Sequence, residues 1–473
     1  MAMNKISQES FNEIVKENME DFEMELKEAI EDALEQCRVQ KVDVSGLITD
    51  PLLIFVSKPN ADEMLQELQS SSVNDDRILE IFSIIENYYI KGLIEEFNQT
   101  YLNQMVSVLL IMKEKKTIFI PYLDLLKHFM SQRSGKLIIG KVTNIWDMII
   151  ECFSSQNLVL ESLEFLATLL IGCQPNKDIF RNQYNSFEKV LIESLLSQNS
   201  KDTIYIQIIH IFTILCSNDD TSLPPKSFQN ALALQENYNI INQLYPLLLK
   251  TESSSILLSL YTLYSKLIVN EQSCKLVLSL HMNQYLQSVL SDILRNKDLL
   301  ISYLSILKSL SKSDSWKLPI YTILNDKSNL SQLFILYDHD LSILIPLYTV
   351  LSAITLRNSE VSTYLIENYS IDIITIRYLK EFTSNSTLDH FCLHLLRNSI
   401  KGNEEKQNQY HNDEIYQLIL TIIHKFKHLN SIGCLTLREI GYDTSNIEAK
   451  NSSTIMMDMK GQLLEYNTES SSE

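Results

Sequence analysis

The chain has 473 residues but only 9 Gly and 9 Pro, so strand-rich and doubly wound folds, which spend these residues on turns and phosphate loops, are disfavoured and a helical chain remains. Hydrophobic residues make up 45% and charged residues 21%, too apolar a balance for intrinsic disorder. The net charge of −19 is uneven: residues 1–100 carry −14 and residues 441–473 carry −4, while 101–440 hold 31 acidic against 30 basic groups and supply no contiguous basic face for nucleic acid.

Residues 1–41 are expected to form an acidic amphipathic helix. Glu9 to Glu35 holds eleven carboxylates against Lys16 and Lys27, and Phe11, Ile14, Val15, Phe22, Leu26, Ile30, Ala33 and Leu34 recur at helical spacing. Ser10 followed by Glu13 predicts a capping box at its start. Such a helix either packs on the body of the protein or detaches to dock on a partner. Residues 42–75, with Gly46, Pro51 and Pro59, read as a connector containing a short helix over 61–69. Helical periodicity returns over 76–89 and opens an array expected to run through residues 76–446. Residues 447–473 read as an acidic, mobile tail.

Within the array a nine-residue apolar frame recurs. It reads PYLDLLKHF from Pro121, ESLEFLATL from Glu161, QIIHIFTIL from Gln207 and SLYTLYSKL from Ser259. It continues as SYLSILKSL from Ser302, PLYTVLSAI from Pro346, FCLHLLRNS from Phe391 and IGCLTLREI from Ile432. The intervals are 40, 46, 52, 43, 44, 45 and 41 residues, within the period of armadillo and HEAT repeats. Frame positions five and six are almost all large and apolar. Positions four and eight, one turn apart, are mostly polar or small: Asp124 and His128, Glu164 and Thr168, His210, Thr262 and Lys266, Ser305 and Ser309, Thr349, His394 and Asn398. The pattern predicts an all-α fold, a right-handed superhelical solenoid of armadillo- or HEAT-like repeats, with these twelve residues lining a groove. The long interval, with Ser222, Pro224 and Pro225, predicts an extended loop.

No motif carries catalytic chemistry. His390 with His394 and His424 with His428 have i, i+4 spacing, but neither pair has the H-E-x-x-H glutamate or an evident third ligand, so both read as surface or groove histidines. Asp338, His339 and Asp340 read as a loop and an N-cap. Ser134-Gly135-Lys136 lacks the rest of a phosphate loop, and no nucleophile elbow or dinucleotide turn is present. Neither a cofactor nor a metal is expected. Seven widely spaced cysteines without a C-x-x-C pair point to a reducing compartment, and the longest uncharged stretches, 16 residues each, are too short for a membrane span. The reading is therefore a cytoplasmic protein, with the nucleus as a second location left open.

Ile6-Ser7-Gln8-Glu9-Ser10-Phe11, then Glu17-Asn18-Met19-Glu20-Asp21-Phe22, Glu28-Ala29-Ile30, Val42-Asp43-Val44-Ser45 and Ile48 resemble the opening of the armadillo repeat-containing protein 6 family. The resemblance implies an acidic helix ahead of an armadillo array that acts through protein partners, without a catalytic site. By analogy with armadillo proteins, frame positions four and eight would floor a concave groove that holds an extended peptide. Importin-α-like arrays place Trp and Asn there to grip basic peptides. Here the first is never Trp and only Asn398 supplies the second, which disfavours nuclear-import cargo.

The leading expectation is a non-catalytic interaction scaffold that binds a protein segment in the groove of the array. The alternative is a transport adaptor or chaperone for a basic client, with the acidic N-terminal hundred residues shielding the client's charge. The expected partner is a protein or peptide, a basic one among the options, with no nucleic acid or membrane and the oligomeric state open.

Overall fold

Breaking a glycine-poor chain into short helices requires other punctuation, and asparagine supplies much of it. Asn270, Asn296, Asn358, Asn385, Asn403 and Asn412 each cap a helix, their side-chain oxygens accepting the backbone N–H three residues on at 2.8–3.2 Å. A second device is the left-handed residue. Asn239, His281, Ser328 and Ser370 adopt φ between 49° and 57° at helix–helix joints, where glycine would sit without a Cβ penalty.

The computed structural model describes residues 6–44 except 23, isolated positions between 47 and 68, 75–90, 116–154, 158–197, 201–445, 447, 455–457 and 463–465. The helices α1 (Gln8–Asp21), α2 (Leu26–Val39), α3 (Asp75–Ile90) and α4 (Lys116–Phe129) come first. Seven sets of three follow. They are α5 (Arg133–Gly140), α6 (Thr143–Ser154) and α7 (Val159–Leu170); α8 (Gln174–Gln183), α9 (Asn185–Leu196) and α10 (Asp202–Leu215); and α11 (Ser227–Tyr238), α12 (Ile240–Lys250) and α13 (Ser254–Leu267). Next are α14 (Glu271–Ser279), α15 (Met282–Ile293) and α16 (Lys297–Leu310), then α17 (Lys317–Asn325), α18 (Asn329–Leu336) and α19 (Leu341–Thr355). The last two sets are α20 (Ser359–Tyr369), α21 (Ile371–Glu381) and α22 (Ser386–Ile400), and α23 (Glu404–Tyr410), α24 (Asp413–Lys425) and α25 (Asn430–Ile440). Three helices per repeat is the armadillo pattern, and the left-handed joints mark the step from first to second helix in four of the sets.

All eight apolar frames lie in α4 and the third helices α7, α10, α13, α16, α19, α22 and α25. Frame positions five and six are fully or almost fully buried in the first seven, from Leu125 and Leu126 to Leu395 and Leu396. Tyr261, Tyr264, Tyr303 and Tyr348 are core residues, as the pattern implies. Trp146 donates to the Gly140 carbonyl at 2.9 Å and Trp316 to that of Cys274 at 2.8 Å, so both buried indoles spend their N–H inside the fold.

The chain forms two compact units, residues 1–225 without 196–198 and 215–217, and residues 226–473 with those two short pieces. In the first unit, the loop expected near Ser222 acts as a staple. Asp219 accepts from the Gly172 backbone at 2.9 Å and pairs with the fully buried Lys177, while Asp220 accepts from the Gln174 backbone at 2.9 Å and from Arg133 at 3.0 Å. In the second unit, α13, α16, α19, α22 and α25 pack each on the next.

The N-terminal segment differs from the single helix expected. It is the pair α1 and α2, with Phe11 and Val15 of α1 buried among Ala29, Ile30, Ala33 and Cys37 of α2. Folding back hides both apolar stripes, which one continuous helix would leave wet. Buried Asn18 fastens the pair, donating to the Ala29 carbonyl and to Asp32, both at 3.2 Å, and accepting from Gln36 at 3.2 Å. The N-cap is Ser7, which accepts from the Ser10 backbone at 3.1 Å, so Ser10 stands inside the helix and the Ser10–Glu13 capping box does not form. Most of the connector 42–75 and its short helix lie outside the described residues. In the expected tail, Ile455–Met457 (β1) pairs antiparallel with Leu463–Glu465 (β2), the one sheet among the described residues.

Candidate binding face

Because positions four and eight are one turn apart, they share a stripe beside the buried one. In the first unit Asp124, His128 and His210 are exposed, and Glu164 and Thr168 half-buried. Lys127 brings two of the carboxylates together, its Nζ lying 3.0 Å from Asp124 and 3.4 Å from Glu164. In the second unit Lys266 is exposed, and Thr262, Ser305, His394 and Asn398 are half-buried. Ser309 and Thr349 are nearly buried, at 9% exposure each, so they belong more to the packing than to an open floor.

Hydroxyls on this stripe turn inward. Thr168, Thr262, Ser305 and Thr349 donate to the carbonyl four residues back at 2.8–3.0 Å. Ser309 and Asn398 of the stripe, and the buried Thr436 beside it, tie neighbouring helices together. Ser309 donates to the Ser265 carbonyl at 2.8 Å, Asn398 to the Ser352 carbonyl at 3.0 Å and to the Thr355 hydroxyl at 3.3 Å, and Thr436 to the Leu393 carbonyl at 3.3 Å. The Asn398 amide is thus occupied within the fold, whereas in the importin-α-like arrangement that amide meets the peptide.

The residues that the frame reading missed on this face are Arg397, Lys401 and Glu439. Arg397 Nη2 lies 3.3 Å from Glu439 and Lys401 Nζ 3.8 Å from the same oxygen. Arg397 and Glu439 fill frame positions seven and eight of successive helices, so reading the seventh position and carrying the eighth into the last frame would have found them.

The His390 and His394 rings meet at 4.6 Å. Burial, then His390 and Arg397, push the His394 imidazole down to about 4, so it is neutral near pH 7. His424 closes α24 and His428 sits in the short turn after it, both exposed. Among the described residues no three His, Cys, Asp or Glu side chains are grouped to hold a metal ion. Asp340 caps α19, accepting from the Ser342 backbone at 3.0 Å, and Asp338 pairs with Arg377. Gly135 and Lys136 are inside α5, and Lys136 donates to the Ile171 carbonyl at 2.6 Å.

Residues 3–69 match the family model described as the armadillo repeat-containing protein 6 N-terminal domain. The matched stretch is the opening of the chain. The stretch similar to that domain includes α1, α2 and the Asn18 network that joins them. No curated protein sequence matches the chain. Among solved structures, the chain is similar at a TM-score of 0.52 and 14% identity, covering 85% of this chain and 72% of the other, to one described as "A conserved phosphorylation switch controls the interaction between cadherin and beta-catenin in vitro and in vivo". At that identity the likeness shows the fold, a helical armadillo solenoid. No helix among the described residues is long and apolar enough to cross a membrane.

Proposed function

We propose that this protein is a non-catalytic scaffold that holds an extended protein segment along the polar stripe of its third helices, with those helices flooring a concave groove. The observation that carries the reading is the split within each frame. Positions five and six are buried in the first seven copies, while Asp124, His128, His210, Thr262, Lys266, Ser305 and His394 stay at least partly exposed beside them. A stripe that packing does not consume is available to a ligand. The similar solved structure, whose description concerns the interaction of cadherin and beta-catenin, supports a protein as the partner. Seven free cysteines, all buried, fit a reducing compartment, and we place the protein in the cytoplasm.

The test is capture of partners by wild-type protein and by H128E, H210E and K266E, with folding checked by circular dichroism. Loss of partners in these variants supports the reading; an unchanged partner set in all three refutes it. A second reading, an adaptor or chaperone for a basic client, draws on the eleven carboxylates between Glu9 and Glu35. It requires salt-sensitive binding of a basic protein that disappears when residues 1–41 are deleted.

A further inference from the structure

The polar stripe is not electrically uniform, and its last part has a surplus of positive donors. In the second unit α19 contributes no charged residue at all. The next helix, α22, contributes His390, His394 and Arg397, with Lys401 just past its end. Against them α25 sets one carboxylate on this face, Glu439, which serves both Arg397 and Lys401. One anion between two permanent cations leaves them undercompensated. Arg397 shows it directly: Nη2 meets Glu439, while its buried Nε has no hydrogen-bond partner. A buried N–H left unmade costs about 1–3 kcal/mol.

We propose that this corner is an anion subsite that takes an aspartate or glutamate side chain of the bound protein segment between His394 and Arg397, with Lys401 at the rim. The proposal rests on the reading of the stripe as a peptide-binding face and names the chemistry of one part of the ligand. Guanidinium and carboxylate match in shape and charge, and a neutral imidazole beside them becomes a further cationic donor once a carboxylate arrives. The charged or titratable groups around His394 are His390 and Arg397 on its own helix and Glu439 on α25, reached through Arg397; α19 offers none, and His428, after α24, faces His390. Apart from Glu439 these are donors or potential cations, so lowering the pH strengthens the attraction for an anion.

The test uses the full chain and fluorescein-labelled hexa-aspartate, followed by anisotropy, with hexalysine as control. Hexa-aspartate is expected to bind more tightly at pH 5.5 than at pH 7.5, and H394Q to flatten that dependence. R397Q is expected to lose the binding. E439Q, which removes the competing carboxylate, is expected to tighten it by roughly fivefold, a gain that misfolding cannot imitate. Equal binding by wild type and E439Q, undiminished binding by R397Q, or equal affinity for hexalysine overturns the subsite. If the subsite fails in this way while H128E, H210E or K266E still abolishes partner capture, the scaffold reading survives without it; failure of both sets removes both.

Discussion

Arg133 and Asp220 are 87 residues apart in sequence, yet Nη2 and Oδ2 lie 3.0 Å apart, and the Asp220 side chain is only 3% exposed. The same oxygen accepts the Gln174 backbone N–H at 2.9 Å, so one carboxylate fixes the starts of α5 and α8 to the loop after α10. Burial alone would raise the Asp220 carboxyl; the hydrogen bonds from Ser222, Arg133 and Gln174 outweigh it and hold the group well below the usual carboxylate range.

Asp220→Asn is therefore expected to destabilise the first unit by about 3 kcal/mol in urea unfolding at pH 7, because it removes the charge that Arg133 and the backbone were arranged to meet. The sign with pH follows. A carboxyl depressed in the folded state stabilises above its unfolded value near 4, and loses that contribution as pH falls through the folded value. The difference between wild type and D220N should shrink steadily below about pH 4.

Asp389 is the opposite case. It is fully buried in α22, neither oxygen has a hydrogen-bond partner, and burial raises it to about 7 despite nearby Lys425. The folded state therefore keeps a proton that the unfolded chain has released, and this group's effect on stability worsens from about pH 4 up to about pH 7. Asp389→Asn should raise the melting temperature at pH 8 and leave it nearly unchanged at pH 4. The expected gain at pH 8 is about 2–4 kcal/mol, and an equal shift at both pH values would contradict the assignment.

Ser370 stands at φ 50° between α20 and α21, a conformation that carries a Cβ penalty for any residue but glycine. Its side chain is exposed. Ser370→Gly should stabilise the second unit by about 0.5–1 kcal/mol in equilibrium unfolding, the reverse of the usual effect of placing glycine beside a helix.

The third helices were legible in the sequence because each is long enough to show two turns of periodicity with the same residues buried. Leu163, Leu166 and Leu170 in α7 and Leu300, Leu304 and Leu307 in α16 are of this kind. The first and second helices were not, since several span only seven to ten residues and some joints are one or two residues long, as at Ser370 or at Leu280 and His281, with neither a glycine nor a proline to mark them. The N-terminal helix was over-extended for a related reason. No glycine or proline lies between Met19 and Leu26, and what turns the chain there is the distant match of Asn18 to Ala29, Asp32 and Gln36. On the face, the stripe itself was visible, but the use of its groups was not. Whether Asn398 faces a ligand or the Ser352 carbonyl depends on the separation of two helices, which no single helix encodes.

Ser309, Asn398 and Thr436 each send a cross-helix bond to a main-chain carbonyl, of Ser265, Ser352 and Leu393 respectively, and Asn398 adds the Thr355 hydroxyl as a side-chain partner. Every amino acid owns that atom. Each carbonyl rung therefore constrains one genetic position instead of two, and its accepting side is free to drift without unfastening the stack. An array joined in this way can change most of its letters and keep its architecture, whereas one joined by matched side-chain pairs would need its substitutions to arrive in twos.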